Sequence, residues 1–115
     1  DIAESAWFRF NSAATTGTGL IYCETDNGST DSTAITSGIS LTAGTFCVGR
    51  IDMSVLTDVK FYINGARVAA GTTFSMNAGT KKFQPYAAAV KAKSSANTST
   101  GTLYVDKVNI YQRRS

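Results

Sequence analysis

The chain has 115 residues, 43% of them hydrophobic, which is enough to bury a core without a metal or a disulfide scaffold, so residues 1–115 are expected to form a single domain. Eleven Lys and Arg against eight Asp and Glu give a net charge of +3. The bases are spread along the chain apart from Lys81-Lys82, Lys91/Lys93 and Arg113-Arg114, which predicts a solvated surface rather than a specific nucleic-acid footprint. No apolar run approaches the ~20 residues of a membrane span, and the absence of histidine excludes Ser-His-Asp and Cys-His machinery and the H-E-x-x-H zinc site.

Ala6-Trp7-Phe8-Arg9-Phe10 alternates, with Ala6, Phe8 and Phe10 on one side and Trp7 and Arg9 on the other, the period of a half-buried strand. A second strand, Leu20-Ile21-Tyr22-Cys23-Glu24-Thr25, follows the Gly/Thr-rich Thr15-Thr16-Gly17-Thr18-Gly19. Asp26-Asn27-Gly28-Ser29-Thr30-Asp31-Ser32-Thr33 contains no apolar residue and reads as a surface loop, with a short apolar return at 39–41. Thr45-Phe46-Cys47-Val48-Gly49-Arg50-Ile51-Asp52 is the next expected strand.

Asp58-Val59-Lys60-Phe61-Tyr62-Ile63-Asn64-Gly65-Ala66-Arg67-Val68 specifies a β-hairpin locally. Asn-Gly supplies the two positive-φ residues of a type I′ turn, around which right-twisted strands pair. A two-residue loop sets Ile63 against Ala66, Tyr62 against Arg67 and Phe61 against Val68. Phe61, Ile63, Ala66 and Val68 then share an apolar face, and Lys60, Tyr62 and Arg67 share a face open to water or a partner.

Further strand signals are Thr72-Thr73-Phe74-Ser75-Met76 and Lys82-Phe83-Gln84-Pro85-Tyr86-Ala87-Ala88-Ala89-Val90, the second delayed or pushed to an edge by Pro85. A polar loop at 94–101 precedes a last strand over 102–111. A helical turn competes with strand only over 86–93. Strands this closely spaced predict an all-β, two-sheet antiparallel sandwich. Cys23 and Cys47 sit in separate expected strands; they can pair if those strands face each other across the sandwich, but a lone pair is no disulfide framework and free, buried thiols are the expected state.

Gly44-Thr45-Phe46-Cys47-Val48-Gly49-Arg50-Ile51-Asp52, the hairpin Val59-Lys60-Phe61-Tyr62-Ile63-Asn64-Gly65 and the closing Leu103-Tyr104-Val105-Asp106-Lys107-Val108-Asn109-Ile110-Tyr111 resemble the concanavalin-like jelly rolls of legume lectins, laminin G-like modules and laminarinase-type glucanases. The "V-x-F-Y-x-[DN]-G" hairpin followed by "V-D-x-V-x-[IV]" is similar to the version found in structural proteins of tailed bacteriophages. Trp7-Phe8-Arg9, Glu24-Thr25-Asp26-Asn27-Gly28 and Gln84-Pro85-Tyr86 resemble that version too.

Laminarinase-type glucanases use an E-x-D-x-x-E strand motif. Here the third carboxylate is replaced by Ser29 and Asp26-Asn27-Gly28 reads as a turn, so no enzymatic activity is expected. The legume-lectin likeness makes Asp26, Asn27 and Asp31 weak calcium candidates, the alternative being a polar loop bonded to itself; otherwise no cofactor is expected. Trp7, Tyr22, Tyr62, Tyr86, Tyr104 and Tyr111 are the aromatic candidates for a glycan platform, Trp7 having a buried role as its alternative.

Trp7, Tyr62, Arg67, Arg113 and Arg114 are the expected partner- or glycan-binding residues. The phage likeness implies a non-enzymatic virion surface protein, a head-decoration or cementing module that binds the major capsid protein or another virion protein, and a homo-oligomer is compatible with that role. The second expectation is a carbohydrate-binding module, on a virion fibre or a secreted extracellular protein.

Overall fold

The structure is a computed structural model that describes residues 4–10, 19–42, 44–76, 84–87 and 104–111. The chain divides into two compact units, Asp1–Gly79 and Thr80–Ser115. The first unit is an all-β, antiparallel two-sheet sandwich. One sheet has the order β1 (Ser5–Phe10), β2 (Leu20–Asp26), β3 (Asp31–Ser40), and the other β4 (Gly49–Asp52), β5 (Lys60–Ile63), β6 (Ala66–Val68). Each sheet is a meander of consecutive strands. The crossings between sheets that define a jelly roll are not among the described strands.

The hairpin forms in the expected register, Ile63 opposite Ala66, Tyr62 opposite Arg67 and Phe61 opposite Val68. Asn64 and Gly65 both have positive φ, 50° and 84°, as the turn requires. Phe61, Ile63 and Val68 are buried in the core as expected; Ala66, next to the turn, is exposed.

Aromatic packing joins the two sheets. Phe8 meets Phe61 edge-on with centroids 5.3 Å apart, and Phe61 meets Phe74 at 4.8 Å. Ile21, Cys23, Val59 and Met76 complete the buried cluster. Gly49 is glycine for a packing reason: a Cβ there would lie 2.8 Å from the Phe8 ring, so β1 and β4 approach closely only because that position carries no side chain.

Four sequence expectations differ. The polar stretch 26–33 is a turn over 27–30 followed by the ten-residue β3, because the Ser/Thr-rich strand is held by its ladder to β2 rather than by an apolar face of its own. The strand expected from Thr45 pairs as β4 only from Gly49, although Val48 and Asn64 are joined through backbone and side chain. Phe74 makes an isolated bridge to Val59 rather than a strand. In the second unit, the described residues 84–87 and 104–111 make no ladder and all are exposed. Alternation defines a strand only where another strand supplies its hydrogen bonds.

The Gly65 Cβ position is open, so Gly65→Val costs backbone strain alone, about 1–3 kcal/mol. Gly65→Asn, which tolerates the left-handed region better, is expected to cost measurably less. Urea unfolding of the three proteins checks this ranking.

Candidate functional site

The outer face of the second sheet follows from the hairpin register. Arg50 pairs with Tyr62, and Tyr62 with Arg67, so the three form a row across β4, β5 and β6. The Arg50 guanidinium lies 3.8 Å from the Tyr62 ring centroid, a stacked cation–π pair. Just before β4 in the chain, Phe46 and Val48 are 74% and 70% exposed, Val48 being bonded to Asn64 of the hairpin turn. Asp52 and Lys60 sit opposite each other at the far end of the face. Bonds from the Ser54 side chain and backbone hold the Asp52 carboxyl below its ordinary range, and Lys60 lies 3.4 Å from Asp58.

The outer face of the first sheet is different in kind. Trp7 is half-buried there and opposite Glu24, and Arg9 is opposite Tyr22. The Glu24 residue is only 3% exposed. Its Oε1 lies 2.6 Å from Arg9 Nε and accepts a 3.0 Å bond from Ala34 N–H. The Arg9 N–H is not aimed along the short line to Glu24, so charge rather than an aligned hydrogen bond holds that contact. Arg9 also lies over the Tyr22 ring at 5.4 Å.

A register shift in β3 makes this arrangement. Between the pairs Thr25/Ser32 and Cys23/Ile35 the third strand carries one extra residue, and Ala34 has φ 55°. The bulge turns an amide out of the ladder and toward the carboxylate. Glu24 is thereby held between two partners from its own chain, Arg9 and the Ala34 amide.

Asp26 and Asp31 close the β2–β3 hairpin as a cross-strand pair. The negative charge of Asp26 raises the Asp31 carboxyl above its ordinary value of 3.8, with desolvation, a side-chain bond to Asp26 and the charge of Glu24 adding to it. Asn27 Oδ1 accepts Ser29 and Thr30 N–H at 2.9 and 2.7 Å, and Asp26 Oδ1 accepts Gly28 N–H at 2.7 Å. These are Asx-type turns that cap the loop from within. Among the described residues no group of three or more Asp, Glu, His or Cys side chains is placed to hold a metal ion.

Of the expected binding residues, the structure brings Tyr62 and Arg67 together and leaves Trp7 on the other sheet. Arg113 and Arg114 lie outside the described residues. Tyr86, Tyr104 and Tyr111 are exposed on the second unit. Arg50, Phe46 and Val48 were not expected at the site, although their alternation in sequence with Cys47 and Ile51 was available as a signal. Both cysteines are free; Cys23 is buried, and Cys47 is half-buried. Burial, with the charge of Glu24, pushes the Cys23 thiol up to about 11. Compared with protein-family models, with curated proteins and with solved structures, the chain has no match.

Arg9→Ala removes the countercharge of a buried carboxylate and is expected to destabilise the fold by about 1–3 kcal/mol, more than Glu24→Gln, which keeps an acceptor for Ala34 N–H. Equilibrium unfolding at neutral pH compares the two.

The raised Asp31 carboxyl means that the folded state holds this proton more tightly than the unfolded one. Stability therefore falls as pH rises from the ordinary Asp value through the raised one, then levels off. Asp31→Asn is expected to be the more stable protein at pH ~7 in low salt, with the difference closing at pH ~3 and shrinking in high salt. Unfolding midpoints under those conditions test the sign.

Proposed function

We propose that this domain is a non-enzymatic binding module of a tailed-phage virion surface, a decoration or cementing protein that fixes to the assembled capsid through the outer face of its second sheet. The observation that carries the reading is the Arg50–Tyr62–Arg67 row, with Phe46 and Val48 exposed in the segment that leads into β4. Aromatic residues and arginine are the types enriched where protein interfaces concentrate their energy, and a rigid sheet presents them without an ordering cost. The phage setting rests on the likeness of the hairpin and closing motifs to phage structural proteins.

A glycan platform fits this face less well. Sugar stacking needs a bare aromatic face, and Arg50 covers one side of the Tyr62 ring. Absence of catalysis is part of the proposal, supported by the missing histidine and by the Glu24 carboxylate held between Arg9 and Ala34.

The test is rebinding to stripped capsids. The purified protein is expected to co-sediment with them and raise their resistance to heat, and Tyr62→Ala is expected to weaken binding roughly tenfold or more, while Ser29→Ala on the distant turn leaves it unchanged. A protein that ignores capsids yet binds a defined glycan, with loss of that binding in Trp7→Ala, overturns the reading in favour of the carbohydrate-binding alternative.

A further inference from the structure

Resting on that reading, we infer that the surface recognised by this face is an acidic protein surface, whose Asp or Glu carboxylates are taken by Arg50 and Arg67 on either side of Tyr62. Among the described residues neither arginine makes a salt bridge, whereas Arg9, Lys60, Glu24 and Asp58 are all committed to one. Two guanidinium groups on one face are therefore left for a partner. The Arg50 guanidinium carbon lies 3.8 Å from the Tyr62 ring centroid, which holds the cation on the ring face, and a guanidinium group is the side chain suited to a planar carboxylate met in two-pronged fashion. Arg67 lies one strand beyond Tyr62, so the two cations are separated by two strand spacings, roughly 10 Å.

What surrounds the row selects the class of anion. Beyond Arg50 the same face carries Asp52, whose carboxylate interrupts the run of cations there. Phe46 and Val48, in the segment leading into β4, are exposed apolar side chains, which a polyanion cannot use. Nucleic acid and sulfated polysaccharide gain affinity from a long run of cations. Two arginines with a carboxylate on their face and an apolar pair in the segment leading into it instead match separate acidic side chains set among apolar ones on a folded protein.

The experiment titrates the isotope-labelled full chain with a short oligo-glutamate peptide in low salt and follows amide and arginine Nε–H shifts. Oligo-glutamine, a heparin oligosaccharide and oligo-thymidylate serve as comparisons. Oligo-glutamate is expected to shift Arg50, Tyr62 and Arg67, to be displaced by salt and to leave oligo-glutamine without effect. Arg50→Lys and Arg67→Lys keep the charge but lose the planar fork, and each is expected to weaken binding several-fold. Failure of oligo-glutamate to shift these residues, equal binding by the lysine variants, or tighter binding of the heparin or thymidylate at the same residues overturns the inference. Capsid binding that survives both lysine substitutions overturns it too while leaving the decoration reading intact. Oligo-glutamate binding on the row without any capsid binding supports the inference and removes the decoration reading.

Discussion

The register of β5 against β6 depends on a turn of two residues, and both the core and the exposed face depend on that register. Asn64 and Gly65 take positive φ, so the strands meet with Phe61 against Val68 and Tyr62 against Arg67. A slip by one residue would send Phe61 and Ile63 to water and Tyr62 inward. Asn64 extends this control to a third strand. Its N–H donates to the Val48 carbonyl at 2.8 Å and its Oδ1 accepts the Val48 N–H at 2.9 Å, which delivers β4 so that Arg50 arrives opposite Tyr62.

The first sheet is positioned by shape rather than by a turn. Phe8 fits over Gly49 and against Phe61, so the sheets approach closely through one ring where a side chain on β4 would block them. Across β1 and β2, Ala6 and Phe8 point inward with Ile21 and Cys23, which leaves Glu24 on the outer side beside Trp7. A carboxylate that well shielded needs partners, and the bulge at Ala34 supplies one while Arg9 supplies the other. A second shift in β3 has a similar remedy: the Ser37 hydroxyl donates to the Ile21 carbonyl at 2.7 Å where the ladder is interrupted.

How much of this was legible in the sequence follows from how local each instruction is. The Asn64-Gly65 hairpin was legible to the residue because turn chemistry and alternation agree within a short stretch. β3 was not, because Asp31-Ser32-Thr33-Ala34-Ile35-Thr36-Ser37 has no apolar period and becomes a strand only through its ladder to β2. Residues 104–111 show the converse, a run rich in β-branched and aromatic residues with no ladder among the described residues. At the site, Tyr62 and Arg67 were legible from their place on the polar hairpin face. Arg50 required the β4–β5 register, which no local signal states. The isolation of Trp7 from them follows from its being on the other sheet.

The two outer faces of the sandwich carry charge under opposite constraints. On the first sheet Glu24 is shielded from water, and an unpaired charge there would cost a sizeable part of the fold's small net stability; Arg9 and Ala34 answer it within the chain. On the second sheet Arg50 and Arg67 are exposed and make no salt bridge among the described residues, Arg50 feeling Asp52 only through its charge, and leaving exposed cations so costs the fold little. The cation–π pair gives Arg50 a modest stabilising role beside Tyr62, while Arg67 makes no ion pair among the described residues. Stacking orders Arg50 without neutralising it, which lowers the entropy lost when a carboxylate docks and leaves its hydrogen-bonding capacity for that partner. The two faces thus differ in how charge is held, by a buried ion pair on the first sheet and by exposed arginines without a salt bridge among the described residues on the second.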